Sequence, residues 1–108
     1  MLRIDWDPEK SDDNYARRGF DFVFAALVFA NRYVEYEDAR HAYGEKRVVA
    51  LGIADGLPLT VVYTDRDSAD GSVVRRIISA RVSSRKERRH YAQEIKAATQ
   101  DDAESGQS

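Results

Sequence analysis

Residues 47–64 read RVVALGIADGLPLTVVYT. Two runs of aliphatic and β-branched residues flank Asp55-Gly56. That dipeptide between hydrophobic runs is the strongest short-range hairpin signal, because a type I′ turn needs positive φ at both central positions. The reading also sets a register. With Asp55 and Gly56 as the loop, Val49 opposes Val62, Arg47 opposes Thr64 and Glu45 opposes Arg66. Pro58, near the start of the return strand, has no N–H to donate, so its neighbourhood is expected at a sheet edge.

Working outward, the polar stretch DRDSADGS (65–72) leads into VVRRIISAR (73–81), a third strand. With 67–72 as the loop, Thr64 opposes Arg75, Val62 opposes Ile77 and Thr60 opposes Ser79. Side chains alternate across a strand. One face therefore collects Glu45, Arg47, Thr60, Thr64, Arg66, Arg75, Ser79 and Arg81 around Val49, Val62 and Ile77. The other collects Val48, Ala50, Leu59, Val61, Tyr63, Val74, Ile78 and Ala80, with Arg76 as its exception. A one-residue slip or bulge in the 67–72 loop would exchange the faces of the last strand and bring Arg76 round in place of Arg75 and Arg81.

Upstream, YVEYED (33–38) reads as a further strand, and Leu2, Ile4 and Trp6 alternate with polar residues in a short first one. Asp7 suits an N-cap, Pro8 the first helical position and Gly19 a left-handed stop, which brackets a polar surface helix over 8–18. Asp21 can cap a second helix over 22–30, FVFAALVFA, which is apolar on every side and is expected deep in the core. Ser84 and Glu87 form a capping box that opens a last helix over 85–98, with Tyr91, Ile95 and Ala98 as its apolar stripe. The acidic, small-residue tail 99–108 is expected to be disordered. The expected fold is α+β over residues 1–98: a short N-terminal strand, two N-terminal helices, an antiparallel β-sheet and a C-terminal helix.

At 108 residues the chain makes one domain. It has no cysteine, which excludes disulfides and Cys-based zinc sites. Its two histidines, His41 and His90, are far apart, so neither a metal nor another cofactor is expected. The longest apolar run, Phe22 to Ala30, is well short of the roughly 20 residues that cross a bilayer. The N-terminus has no basic-then-apolar leader pattern. A cytoplasmic protein without membrane contact is expected.

The net charge of −2 averages two unlike regions. RRIISARVSSRKERRHY (75–91) holds seven Arg and Lys residues against one acid, Glu87, so the rest of the chain carries −8. Such polarity can aim one face at a polyanion. Arginines beside hydroxyls on a sheet, with more arginines on the adjoining helix, match phosphate oxygens in a planar fork. Tyr43, Tyr63 and Tyr91 are aromatics near this surface on which an unpaired base could stack, although each taken singly is more often a core or rim residue. The alternative is that these arginines pair with the domain's own acids.

IDWDPEK, RRGFDF, DARHAYGEKR, VVYTDR, RRIISAR and SSRKERRHY, in that order, resemble the BrnT family of toxins of type II toxin–antitoxin systems. The resemblance implies a RelE-like fold and a ribonuclease activity that blocks translation. It also implies neutralisation by a BrnA-type ribbon-helix-helix antitoxin, in a two-plus-two complex that reaches operator DNA only through the antitoxin. The family commonly has Lys-His-Gly where this chain has Arg17-Arg18-Gly19; either cation suits a helix C-terminus.

RNA cleavage by 2′-hydroxyl attack needs a base, an acid, and cations that stabilise the phosphorane, the last usually contributing most. Arg66 and Arg81 are the first candidates for that charge, Arg76 the next, and Ser79 could hold a phosphate oxygen. His41 has a suitable ordinary pKa, near ~6.5, and Glu45 could act as base or orient Arg66. Arg47, Arg75, Arg85, Arg89 and Tyr43 are candidate RNA contacts. The competing reading is a catalytically inactive homologue that binds RNA or antitoxin in operon repression. A third is a small interaction protein whose basic face docks an acidic partner.

Overall fold

The computed structural model describes residues 2–39 and 44–105, with side chains through Thr99. His41 and Tyr43 lie outside the described residues. Five strands, β1 (Leu2–Trp6), β2 (Val34–Glu37), β3 (Val48–Ala54), β4 (Leu57–Asp67) and β5 (Val73–Val82), form one sheet in the order β1-β5-β4-β3-β2. The helices are α1 (Pro8–Arg18), α2 (Phe22–Ala25) with a 3-10 helix following at Ala26–Ala30, and α3 (Arg85–Ser105).

The Asp55-Gly56 hairpin forms in the expected register, from Ala54↔Leu57 to Val48↔Tyr63. Its two turn residues have φ of 47° and 82°. Beyond the ladder the strands stay close: Thr64 Oγ1 donates to the Lys46 carbonyl at 2.8 Å, and Arg66 meets Glu45 at 3.2 Å.

Three expectations about the sheet need correction. It is mixed rather than wholly antiparallel, because β1 runs parallel to β5 with Ile4 beside Arg75 and Asp5 beside Arg76. Most of the chain lies between those two strands, so the long crossover that a parallel pair requires is available. Pro58 is not at an edge, since β4 is the central strand. The β4–β5 ladder stops at Leu59↔Val82, so the missing donor falls just past it, and the Pro58 carbonyl accepts from the Ser83 N–H at 3.0 Å.

The third correction is the β4–β5 register. Thr60 opposes Arg81 and Val62 opposes Ser79, with Thr64 opposite Arg76. The loop is tighter than expected, closed by Ser68 and Ser72 (2.8 Å) and by Gly71 at φ 84°. A bulge between Val62 and Tyr63 then leaves Ile78 without an opposite residue. Ile77 faces Tyr63 in the core, Arg75 turns to the helix-covered side, and Arg76 comes round to the open side. The bulge exchanges Ile78 for Ile77 on the inward side, so the core loses no apolar side chain, and it turns Arg75 rather than Arg76 toward the helices.

The helix-covered face is the core. Phe20, Phe22, Ala25 and Val28 pack on Ala50, Ala54, Leu59, Val61, Tyr63, Ile77 and Ala80, with Ile4 and Trp6 at the margin. Two buried polar residues of α1 fix the turn into α2: Asn14 donates to the Phe20 carbonyl at 2.9 Å, and Ser11 Oγ accepts from the Phe22 N–H at 3.0 Å. The segment 22–30 is not one deeply buried helix. It buries every third residue (Phe22, Ala25, Val28) and leaves Val23 and Leu27 60% and 42% exposed. The tighter 3-10 winding keeps one narrow face on the sheet. That face sits very close to β3, where a Cβ on Gly52 would come within 2.7 Å of Val28 Cγ1.

On the open face, α3 begins with the expected capping box: Glu87 N–H to Ser84 Oγ at 3.2 Å, and Ser84 N–H to Glu87 Oε1 at 2.8 Å. Tyr91, Ile95 and Ala98 are its half-buried stripe. It runs to Ser105, past the expected end at 98, because no Gly or Pro interrupts it before Gly106. No described helix is long and apolar enough to cross a membrane.

Candidate functional site

The open face carries a cleft of about 530 Å³. Val49 and Val62 form its floor, Thr60, Ser79 and Arg81 one side, and Tyr36 to Ala39 the other. The alternation of β3, β4 and β5 brings these residues to one face. The hydroxyls differ in role. Thr60 is buried and bonds Ser83 Oγ at 2.8 Å, whereas Ser79 is exposed.

Arg81 is clamped. Its two terminal nitrogens donate to Glu87 Oε1 and Oε2, both at 2.7 Å, while 43% of its side chain stays exposed. Glu87 thus closes the capping box and grips the sheet arginine with the same carboxylate. The Arg81 hydrogen bonds, opposed by burial and helped by the Ser84 N–H, hold its pKa down to about 2 from 4.5.

The other expected cations are distributed around this centre. Arg66, 63% exposed, and Arg47 both reach Glu45, at 3.2 and 3.6 Å. Arg76 pairs with Asp5 at 3.6 Å on the β1 side. Arg85 and Arg89 are exposed on the first turns of α3 and make no ion pair among the described residues. Of the candidates, Arg81 and Ser79 line the cleft together, and Arg47, Arg66, Arg76 and Glu45 do not line it. Acids stand there too, with Glu37 and Asp38 on the wall opposite Arg81.

Arg75 is a correction. Expected among the RNA contacts, it is buried on the helix-covered side. Nε and Nη2 bond the Asp65 carboxylate at 2.9 and 3.0 Å, and Nη1 donates to Tyr33 Oη at 2.9 Å. Its guanidinium lies 4.1 Å from the Tyr63 ring centroid and 4.9 Å from that of Phe29. Burial pulls this guanidinium's pKa down, but the hydrogen bonds it donates to Asp65 and Tyr33 outweigh that and leave the pKa raised. Beside it Tyr63 donates to the Glu35 carboxylate, and burial together with that bond pushes the phenol above its ordinary value. This is structural chemistry, placed there by the β5 bulge.

Of the cleft residues, only Ser79 and Arg81 were read from sequence as site residues; those that escaped include Thr60, Tyr36 and, above all, Glu87. The last had a signal. It is the only acid in 75–91, and a capping-box carboxylate at the foot of a sheet has a free side to offer.

The sequence model of the family described as ribonuclease toxin, BrnT, of type II toxin–antitoxin system matches residues 6–87. The chain belongs to the BrnT family. Among curated proteins none matches it. The BrnT match runs from the end of β1 to Glu87, so every cleft residue named above lies within the family's part of the chain, and most of α3 lies beyond it. For a BrnT ribonuclease the cleft offers a guanidinium in fixed orientation, an exposed hydroxyl and an apolar floor. Among the described residues no group of three or more His, Cys, Asp or Glu side chains is placed to hold a metal ion.

Proposed function

We propose that this BrnT-family chain is a RelE-like endoribonuclease that cleaves RNA by 2′-hydroxyl attack, without a metal, and so blocks translation. The observation that carries the reading is Arg81 beside Ser79 in the cleft, inside the matched region. Arg81 stabilises the charge that builds on the phosphorane, and Ser79 holds a non-bridging oxygen. Arg66 and Arg76 receive the strand on either side, with Arg47, Arg85 and Arg89 on flanking phosphates. Glu45 orients Arg66, and His41, in the sequence between Ala39 and Gly44, is the candidate for proton transfer, with Tyr43 of the same segment a candidate RNA contact.

A cognate BrnA-type ribbon-helix-helix antitoxin would cover this face in a two-plus-two complex and make the operator contacts itself. One observation favours a second reading, a catalytically inactive homologue that binds RNA or antitoxin: Arg47, Arg66, Arg76 and Arg81 each have a carboxylate within 4 Å.

RNA degradation in EDTA, with the wild-type chain against Arg81→Gln, separates the two. The active reading expects cleavage by the wild type and a loss of about 10²-fold in the variant, the usual cost of one charge-stabilising donor. Cleavage by neither supports the inactive homologue, and equal cleavage by both removes Arg81 from the site.

A further inference from the structure

A second hollow, of about 580 Å³, adjoins the cleft and shares two of its walls, Tyr36 and Glu87. Its remaining lining is Leu51, Ser84, Lys86 and His90. Leu51 is fully buried, so the floor is apolar, while the rings are accessible, Tyr36 being 43% exposed and His90 exposed. The Tyr36 and His90 rings stand 6.2 Å apart, centroid to centroid, at 78°. A flat group laid on one ring therefore meets the edge of the other.

An apolar floor with two aromatic walls is a poor phosphate site and a good site for an unpaired base, whose π-face stacks while its edge stays wet. The surroundings fit a polyanion. Lys86 is at the rim, and Arg85, Arg88 and Arg89 are exposed on the same turns of α3. We propose that the Tyr36–His90 hollow holds a nucleobase of single-stranded RNA adjacent to the phosphate at Arg81. The assignment deepens the ribonuclease reading and rests on it. It gives α3 beyond the family match a role in substrate binding, with Tyr36 as the stacking platform.

The test is fluorescence anisotropy of the full chain with a 2′-O-methyl single-stranded oligonucleotide, which binds but lacks the attacking hydroxyl, over a salt series. Tyr36→Ala weakens binding about tenfold or more, the usual loss for one base–aromatic stack. The slope of log K against log salt stays unchanged, because no phosphate contact is lost. Tyr36→Phe binds as the wild type does, and a strand of abasic residues binds the wild type and Tyr36→Ala alike. Circular dichroism confirms that Tyr36→Ala, a change on an edge strand, is folded. Equal affinity of Tyr36→Ala and wild type for the base-bearing strand overturns the inference while leaving the ribonuclease reading intact. So does an unchanged RNA affinity with loss of a co-expressed partner protein, which would assign the hollow to the antitoxin. A wild-type chain that binds no RNA removes both readings, and is recognised before any substitution is made.

Discussion

Replacing Glu87 by Gln separates the two tasks of that side chain. Gln can still accept from the Ser84 N–H, as glutamine does in capping boxes generally, so the start of α3 should survive. What disappears is the charge that meets Arg81 with two 2.7 Å hydrogen bonds. The carboxyl is held at about 2 instead of 4.5. At roughly 1.4 kcal/mol per pKa unit that bounds the coupling near ~3 kcal/mol. Arg81 is nearly half exposed, and solvent screening reduces the figure to about 1–2 kcal/mol.

The direction with pH follows from the depressed pKa. Stability from a carboxyl whose folded pKa lies below its unfolded one is fully present above 4.5 and is lost as pH falls toward 2. Urea denaturation at pH 7 should therefore show Glu87→Gln less stable by about 1–2 kcal/mol, with the gap narrowing as pH falls through that window. In the same variant, removing a negative charge beside the cleft should strengthen RNA binding and steepen its salt dependence. A stability gap that stays constant between pH 7 and 3 would refute the coupling. RNA binding that weakens would refute the idea that Glu87 competes with phosphate for Arg81.

Two further substitutions test the parts of the fold that position the site. Arg75→Lys cannot reproduce a fork to Asp65 that also stacks on Tyr63, and should cost about 2 kcal/mol in urea unfolding. The salt slope of its RNA binding should match the wild type, since the group faces the core; a shallower slope would put Arg75 back among the RNA contacts. Gly52→Ala forces a methyl against Val28 and Tyr33 and should destabilise by about 1–3 kcal/mol. A neutral result would mean that the 3-10 helix can lift off β3 without loss.

Residues that carry strong local chemistry made the fold legible from sequence. Asp55-Gly56 set a hairpin register that holds to the last ladder pair, and Asp7, Gly19 and Ser84 through Glu87 placed the ends of α1 and the start of α3. The alternation of Leu2, Ile4 and Trp6 with polar residues gave β1, but nothing local could reveal that its partner is β5 and that the pairing is parallel. The β5 bulge was equally hidden. Ile77-Ile78 offers two interchangeable apolar residues, and which one turns inward depends on the turn 68–72 and on whether Asp65 and Tyr33 can receive Arg75. The candidate site inherits that uncertainty: Ser79 and Arg81 lie on the far side of the bulge and kept their face, while Arg75 and Arg76 exchanged theirs.

The same exchange explains where positive charge remains available. On the sheet, Arg76 is matched by Asp5 and Arg81 by Glu87, while Arg47 and Arg66 both reach Glu45. Arg85, Lys86, Arg88 and Arg89 are exposed on the opening turns of α3, where the helix N-terminus adds its own positive end. Among the described residues, the strand half of the basic segment 75–91 is therefore largely compensated and its helical half is not. The compensated guanidiniums are held in geometry, which suits positioning a phosphate, and the open ones supply the long-range attraction that draws a polyanion in. Charge reversal on α3 should accordingly slow RNA association and flatten its salt dependence, whereas loss of Arg81 should leave association nearly unchanged and slow cleavage about 10²-fold. If stopped-flow mixing shows the opposite pattern, with association governed by Arg81, the division of labour between helix and sheet is wrong.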